Sequence, residues 1–235
     1  MTLWSEDEHE INCREMPSLP NLKSFTLGNI YHKQASYAMR TVNYENITNL
    51  KLHSFDLLNL DSENLNIRNL SALILDDVYG QVAVALLKSN SSKITKLVIG
   101  FFDDVLDVDF SDIKFSKLKR LSIIQELTET DSFTLIKNAS NTLEEIHLCS
   151  EVLYDKLPYV RKFKLPRLKK IHLEMNLNRV ISSKLVRSLI YACNENNTIF
   201  LLNNEKMCRT VYKYLLDEFK YDAGMVERPQ YLGFE

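Results

Sequence analysis

The chain has 235 residues, 45% of them hydrophobic and 26% charged, with a formal net charge of −2. The apolar share suffices for a continuous core, and the charge balance excludes a general attraction to nucleic acid or anionic membrane. No apolar run reaches the roughly 20 residues that span a bilayer.

Residues 1–17 open on Met-Thr-Leu-Trp-Ser-Glu-Asp-Glu-His-Glu, acidic where a signal peptide is basic and then apolar. The segment offers Trp4, Ile11 and Met16 to a core and is expected to form a partial N-terminal cap. Cys13, Cys149, Cys193 and Cys208 lack the close pairing of a disulfide framework or a zinc site. A reducing compartment, cytoplasm or nucleus, is therefore expected. Asn-x-Ser/Thr sequons at Asn46, Asn69, Asn90, Asn138 and Asn196 read as coincidence in an asparagine-rich chain without an export signal.

From residue 18 to 203 the chain is periodic. An L-x-x-L-x-L pattern recurs at Leu22/Phe25/Leu27, Ile47/Leu50/Leu52, Leu70/Leu73/Leu75, Ile94/Leu97/Ile99, Leu118/Leu121/Ile123, Leu143/Ile146/Leu148 and Leu168/Ile171/Leu173. The steps are 25, 23, 24, 24, 25 and 25 residues, inside the range of leucine-rich repeats. Each L-x-L predicts a short strand with its two aliphatic side chains on one face. Stacked about 4.8 Å apart, such strands make a parallel sheet whose connections return the chain to the next strand. Apolar spacing of three and four residues predicts helical returns at His32–Val42, Gln81–Ser89 and Asp131–Ala139, the last with Asp131 as N-cap. The returns Asp61–Arg68, Asp109–Ser116 and Tyr154–Lys164 are less regular. A helix is predicted over Ser182–Cys193 and an eighth strand over Thr198–Leu202, with Ile199 and Leu201 continuing the inward alternation. Residues 204–235 are expected to hold a capping helix around Glu205–Phe219, its stripe formed by Val211, Tyr212, Leu215, Leu216 and Phe219, followed by a polar tail.

This register resembles the leucine-rich repeat family in its ribonuclease-inhibitor-like and F-box-associated branch, over roughly residues 18–203. The resemblance implies an α/β solenoid of about seven to eight repeats, a curved horseshoe with a parallel sheet on the concave face and helices and turns on the convex face. Where the family places Asn or Cys nine positions into the repeat, this chain has Ile30, Phe55, Val78, Phe102, Glu126, Glu151 and Asn176, so only Asn176 matches. The chain is thus a degenerate member, and the backbone groups that Asn would satisfy are left to other partners. The resemblance further implies an intracellular protein–protein interaction module with a substrate-recognition or scaffold role, such as the receptor part of an F-box-type ubiquitin ligase. Partners would then include ubiquitin-ligase components. A ribonuclease-inhibitor-like regulator of another enzyme is the alternative.

The outward residues between the inward aliphatics read Thr26, Lys51, Ile74, Val98, Ser122, His147 and His172, preceded by a second column of Ser24, Asn49, Ala72, Lys96, Arg120, Glu145 and Lys170. Ala72, Ile74 and Val98, bordered by Phe101, are expected to form an exposed apolar patch. Beside it lies a basic group of Lys96, Lys117, Lys119, Arg120, Lys169 and Lys170, suited to an acidic or phosphorylated partner or simply solvated. The expected partner-binding set is Lys51, Ala72, Ile74, Lys96, Val98, Phe101, Lys119, Arg120, Ser122, His147, Lys170 and His172.

His147 and His172, at equivalent positions about 5 Å apart, sit near Glu145 and Glu174; without a third firm ligand they read as surface residues, and no metal is assigned. An acidic cluster, Asp76, Asp77, Asp103, Asp104, Asp107 and Asp109, is placed on loops leaving the third and fourth strands, where it serves solubility more often than cation binding. For catalysis the one lead is Cys149 beside His147 on one strand face, a cysteine-dependent enzyme being the reading from a different class. With five glycines and no phosphate loop, the chain reads as non-enzymatic, with no cofactor, no membrane contact and no nucleic-acid partner.

Overall fold

Short, aliphatic, β-branched stretches bounded by polar residues favour strands, and here they assemble into one open sheet. The computed structural model describes residues 2–4, 21–28, 44–55, 67, 69–78, 80–100, 109–124, 127–149, 164–174, 183–193, 198–203 and 205–206. Their ten strands are β1 (Thr2–Trp4), β2 (Ser24–Gly28), β3 (Asn49–Phe55), β4 (Ala72–Val78), β5 (Lys96–Ile99), β6 (Arg120–Ile123), β7 (Glu145–Cys149), β8 (Lys170–Glu174), β9 (Ile199–Leu202) and β10 (Glu205–Lys206). Order in the sheet follows order in the chain. The first nine strands run parallel and β10 pairs antiparallel with β9.

Pairing is in register with the periodic pattern. Leu50, Leu73, Leu97, Leu121, Ile146 and Ile171 lie side by side, as do Leu52, Leu75, Ile99, Ile123, Leu148 and Leu173. All are almost wholly buried. Full burial of one such side chain contributes roughly 1.5–3 kcal/mol, so a one-residue slip, which would turn every member toward the other face, is strongly disfavoured.

Three α-helices lie among the described residues: α1 (Gly80–Asn90), α2 (Glu129–Asn138) and α3 (Lys184–Cys193). They bury Val82, Ala83, Leu86 and Leu87, then Phe133, Leu135 and Ile136, then Leu185, Val186, Leu189 and Ile190. Asp109–Ser116 forms turns, with Asp109 accepting from the Ser111 amide at 2.8 Å. The returns expected at His32–Val42 and Tyr154–Lys164 lie outside the described residues, apart from Lys164, as does Asp61–Arg68 apart from Ile67.

Three expectations are corrected. Thr128, not Asp131, caps α2: its Oγ1 accepts from the Asp131 amide at 3.0 Å and donates to Asp131 Oδ2 at 2.5 Å. Asp131 is thus the third helical residue of a reciprocal cap. In β9 the parity is inverted, since Phe200 and Leu202 continue the rows of Ile171 and Leu173 while Ile199 is 45% exposed. Glu205–Lys206 is a strand rather than the start of a helix, because the chain reverses at Asn203, whose φ is 48°; the rest of the expected helix lies outside the described residues. Within the N-terminal segment, Thr2–Trp4 adds a strand to the sheet by pairing with Thr26–Gly28.

Candidate functional site

The second face of the sheet carries the residues singled out in the sequence. One row runs Thr26, Lys51, Ile74, Val98, Ser122, His147, His172 and Leu201, and a parallel row runs Ser24, Asn49, Ala72, Lys96, Arg120, Glu145, Lys170 and Ile199. Lys51, Ala72, Ile74, Lys96, Val98, Arg120, Ser122, His147, Lys170 and His172 therefore share this face. Lys119 stands just before β6, and Phe101 lies outside the described residues.

The exposed apolar patch is corrected. Val98 is only 8% exposed, and Ala72 and Ile74 are half-buried. Val98 sits in the row between Ile74 and Ser122, whose close spacing covers much of a short branched side chain. Among the described residues the exposed large hydrophobic is Ile199.

The basic group is partly neutralised. Glu144 lies 3.2 Å from Lys119 and 2.6 Å from Lys169, and Arg120 lies 3.4 Å from Glu145. Hydrogen bonds from Lys169 and then Lys119 hold the Glu144 carboxyl below its usual range. This column, one residue ahead of the strands, continues a row of hydroxyls: Thr48, Ser71 and Thr95 each donate to the carbonyl of the preceding unit, at 3.3, 3.1 and 3.0 Å. Uncharged hydroxyls thus give way to a Lys-Glu-Lys ladder along the sheet.

Of the expected acidic cluster, Asp76 and Asp77 lie within β4 rather than on the loop after it, while Asp103, Asp104 and Asp107 lie outside the described residues. Asp76 Oδ2 pairs with His53 Nδ1 at 2.7 Å. Asp77 adopts φ 56°, a left-handed conformation that Asp tolerates better than most residues and that brings Val78 back to the core side. Gly100 lies beside Asp76: a Cβ there would stand 2.5 Å from Asp76 Oδ1 and 3.1 Å from its Cα.

The most concentrated chemistry lies on β7 and β8. His147 and His172 stack with ring centroids 4.5 Å apart and planes within 9°. Glu174 Oε1 stands 3.4 Å from His147 Nε2 and 3.5 Å from His172 Nε2. Both Nε2 atoms are buried and lack a hydrogen-bond partner among the described residues. Burial, reinforced by the neighbouring His147, pushes the His172 pKa down, so its imidazole is neutral at neutral pH. Glu145, the other carboxylate considered with the histidines, pairs with Arg120 instead. Cys149 shares the strand face of His147 and pairs in register with Glu174.

Two buried polar residues hold connections that no sequence pattern announced, although Asn90 stood out as a sequon. Glu129, 3% exposed, accepts from Ser183 Oγ at 2.6 Å and from the Leu185 amide at 3.5 Å, tying the start of α2 to the N-terminus of α3. Desolvation raises its pKa, with the Ser183 bond opposing. Asn90, wholly buried at the end of α1, donates to the carbonyls of Ile67 (2.7 Å) and Leu86 (3.0 Å) and accepts from the Leu70 amide (3.3 Å). A carboxamide so engaged cannot carry a glycan in this fold. Asn138, at the matching end of α2, donates to the carbonyl of Phe110 at 2.9 Å.

No family model matches the chain, and neither a curated protein nor a solved structure matches it. No helix among the described residues is long and apolar enough to cross a membrane.

Proposed function

We propose that this chain is a degenerate leucine-rich repeat solenoid that acts as an intracellular protein-binding module, in cytoplasm or nucleus, through the second face of its sheet. The observation that carries the reading is the pairing of strands in chain order and in register, one for each L-x-x-L-x-L unit. Such stacking exposes rows of side chains over several strands, a surface suited to an extended partner. In this reading the sheet lines the concave side of a horseshoe and the helices lie on the convex side. The face mixes charge with half-buried aliphatics, as the rim and centre of protein interfaces do. It supplies recognition and no catalytic chemistry of its own.

Within that class the role is substrate recognition or scaffolding, as in the receptor part of an F-box-type ubiquitin ligase. Affinity purification of the full chain from its native cell, read by mass spectrometry, tests this. Ubiquitin-ligase components are expected in the eluate; a stoichiometric enzyme without them would favour the regulator reading instead. Ile74→Glu combined with Arg120→Glu should remove the bound proteins and leave the circular dichroism spectrum unchanged. Retention of the same proteins by this variant would place the interface elsewhere.

A further inference from the structure

We infer that His147, His172 and Glu174 form a binding site for a tetrahedral divalent transition-metal ion, with Zn²⁺ the best match. The site stands independently of the protein-binding role. Two imidazole nitrogens and a carboxylate oxygen are a donor set that Zn²⁺ accepts, with bonds of about 2.0–2.1 Å. In a tetrahedron of that size neighbouring ligand atoms lie about 3.3–3.4 Å apart. Glu174 Oε1 lies 3.4 and 3.5 Å from the two Nε2 atoms, and one donor atom from each of the three residues falls within 4.8 Å of the others.

The unmet polar groups point the same way. Buried nitrogens are normally hydrogen-bonded, and each exception calls for an explanation such as an ion. Here two are buried side by side, facing one carboxylate oxygen, without a hydrogen-bond partner among the described residues. Metal coordination would satisfy both lone pairs and neutralise the carboxylate. Bringing the two Nε2 atoms onto one ion requires the stacked rings to splay, a rotation about χ2, which is a soft torsion in histidine. The backbone needs no change, because in-register pairing of β7 and β8 already sets the spacing. Three protein ligands leave a fourth position for water or for a side chain of a bound partner.

The purified full chain, stripped with a chelator and then titrated with Zn²⁺ against a chromophoric competitor, should take up one ion. His147→Gln, His172→Gln and Glu174→Gln should each weaken uptake at least ~10-fold, by analogy with the sensitivity of metal sites to lost support, whereas His53→Gln should not. Because Glu174 is more than one-third exposed, its conservative variant keeps the fold testable if a histidine variant does not fold. Cys149→Ser should leave uptake intact, and Co²⁺ in place of Zn²⁺ should give the intense visible bands of tetrahedral coordination. Absence of stoichiometric uptake, equal affinity in the Glu174→Gln variant, loss of binding in Cys149→Ser, or a pale octahedral Co²⁺ spectrum would each overturn the assignment.

Discussion

Replacing Asn90 with alanine should be among the most damaging single changes on the helical side of the molecule. The side chain is wholly buried and holds the carbonyls of Ile67 and Leu86 and the amide of Leu70. Leu86 O is also placed to accept a helical bond from the Asn90 amide, four residues on, so truncation strands chiefly the Ile67 carbonyl and the Leu70 amide. At about 1–3 kcal/mol for each buried group left unpaired, the expected loss is about 2–6 kcal/mol. Asn90→Asp should be no milder, since it keeps the acceptor for Leu70 but turns a carboxylate toward two carbonyls. Asn69→Ala, on the exposed neighbour that donates to the Glu45 carbonyl, should stay within about 0.5 kcal/mol. Urea unfolding of the three variants measures the differences, and hydrogen exchange over residues 67–73 should show the Leu70 amide losing protection in Asn90→Ala. An Asn90→Ala midpoint indistinguishable from wild type, with Leu70 still protected, would refute the assignment of these hydrogen bonds as the anchor of that connection.

Glu129→Gln should change the pH dependence of stability. A carboxyl whose folded pKa lies above its ordinary value of 4.5 favours the folded state while protonated; that contribution fades as pH rises from about 4.5 through the folded pKa. Thermal melts from pH 4 to 8 should show the variant gaining on wild type as pH rises, and a constant difference would count against a raised pKa. Gly100→Ala should cost about 1–3 kcal/mol, because the added Cβ meets Asp76 and displaces the carboxylate from His53. In an Asp76→Ala background the same change should cost clearly less, and additivity of the two would show that Asp76 is not what the methyl group meets.

The sheet was legible because its signal is redundant: each aliphatic row holds six or seven members, and a period of about 24 residues leaves little freedom of register. Where redundancy failed, so did the reading. Ile199-Phe200-Leu201-Leu202 is apolar at every position, so alternation cannot choose a face; pairing with Ile171 and Leu173 does. Thr128 and Asp131 are both N-cap residues by type, and only the Thr128 backbone, at φ −63° and ψ 155°, decides between them. Two residues of β10 are too few to carry a period. The histidine pair was visible from its matching row positions, but its carboxylate was not singled out, since both Glu145 and Glu174 lay near enough. Glu129 and Ser183 are 54 residues apart, and no local pattern announces their bond.

The reversal at Asn203 bears on how molecules of this kind avoid sticking to one another. A parallel stack has no intrinsic stop, for its last strand offers the same slanted donors and acceptors that each earlier strand offered to its successor. By folding β10 back against β9, the chain covers part of that template with a strand of opposite direction. Head-to-tail joining of two copies at this end would have to displace β10 or accept an antiparallel seam, and a short edge strand is among the devices that discourage such polymerisation.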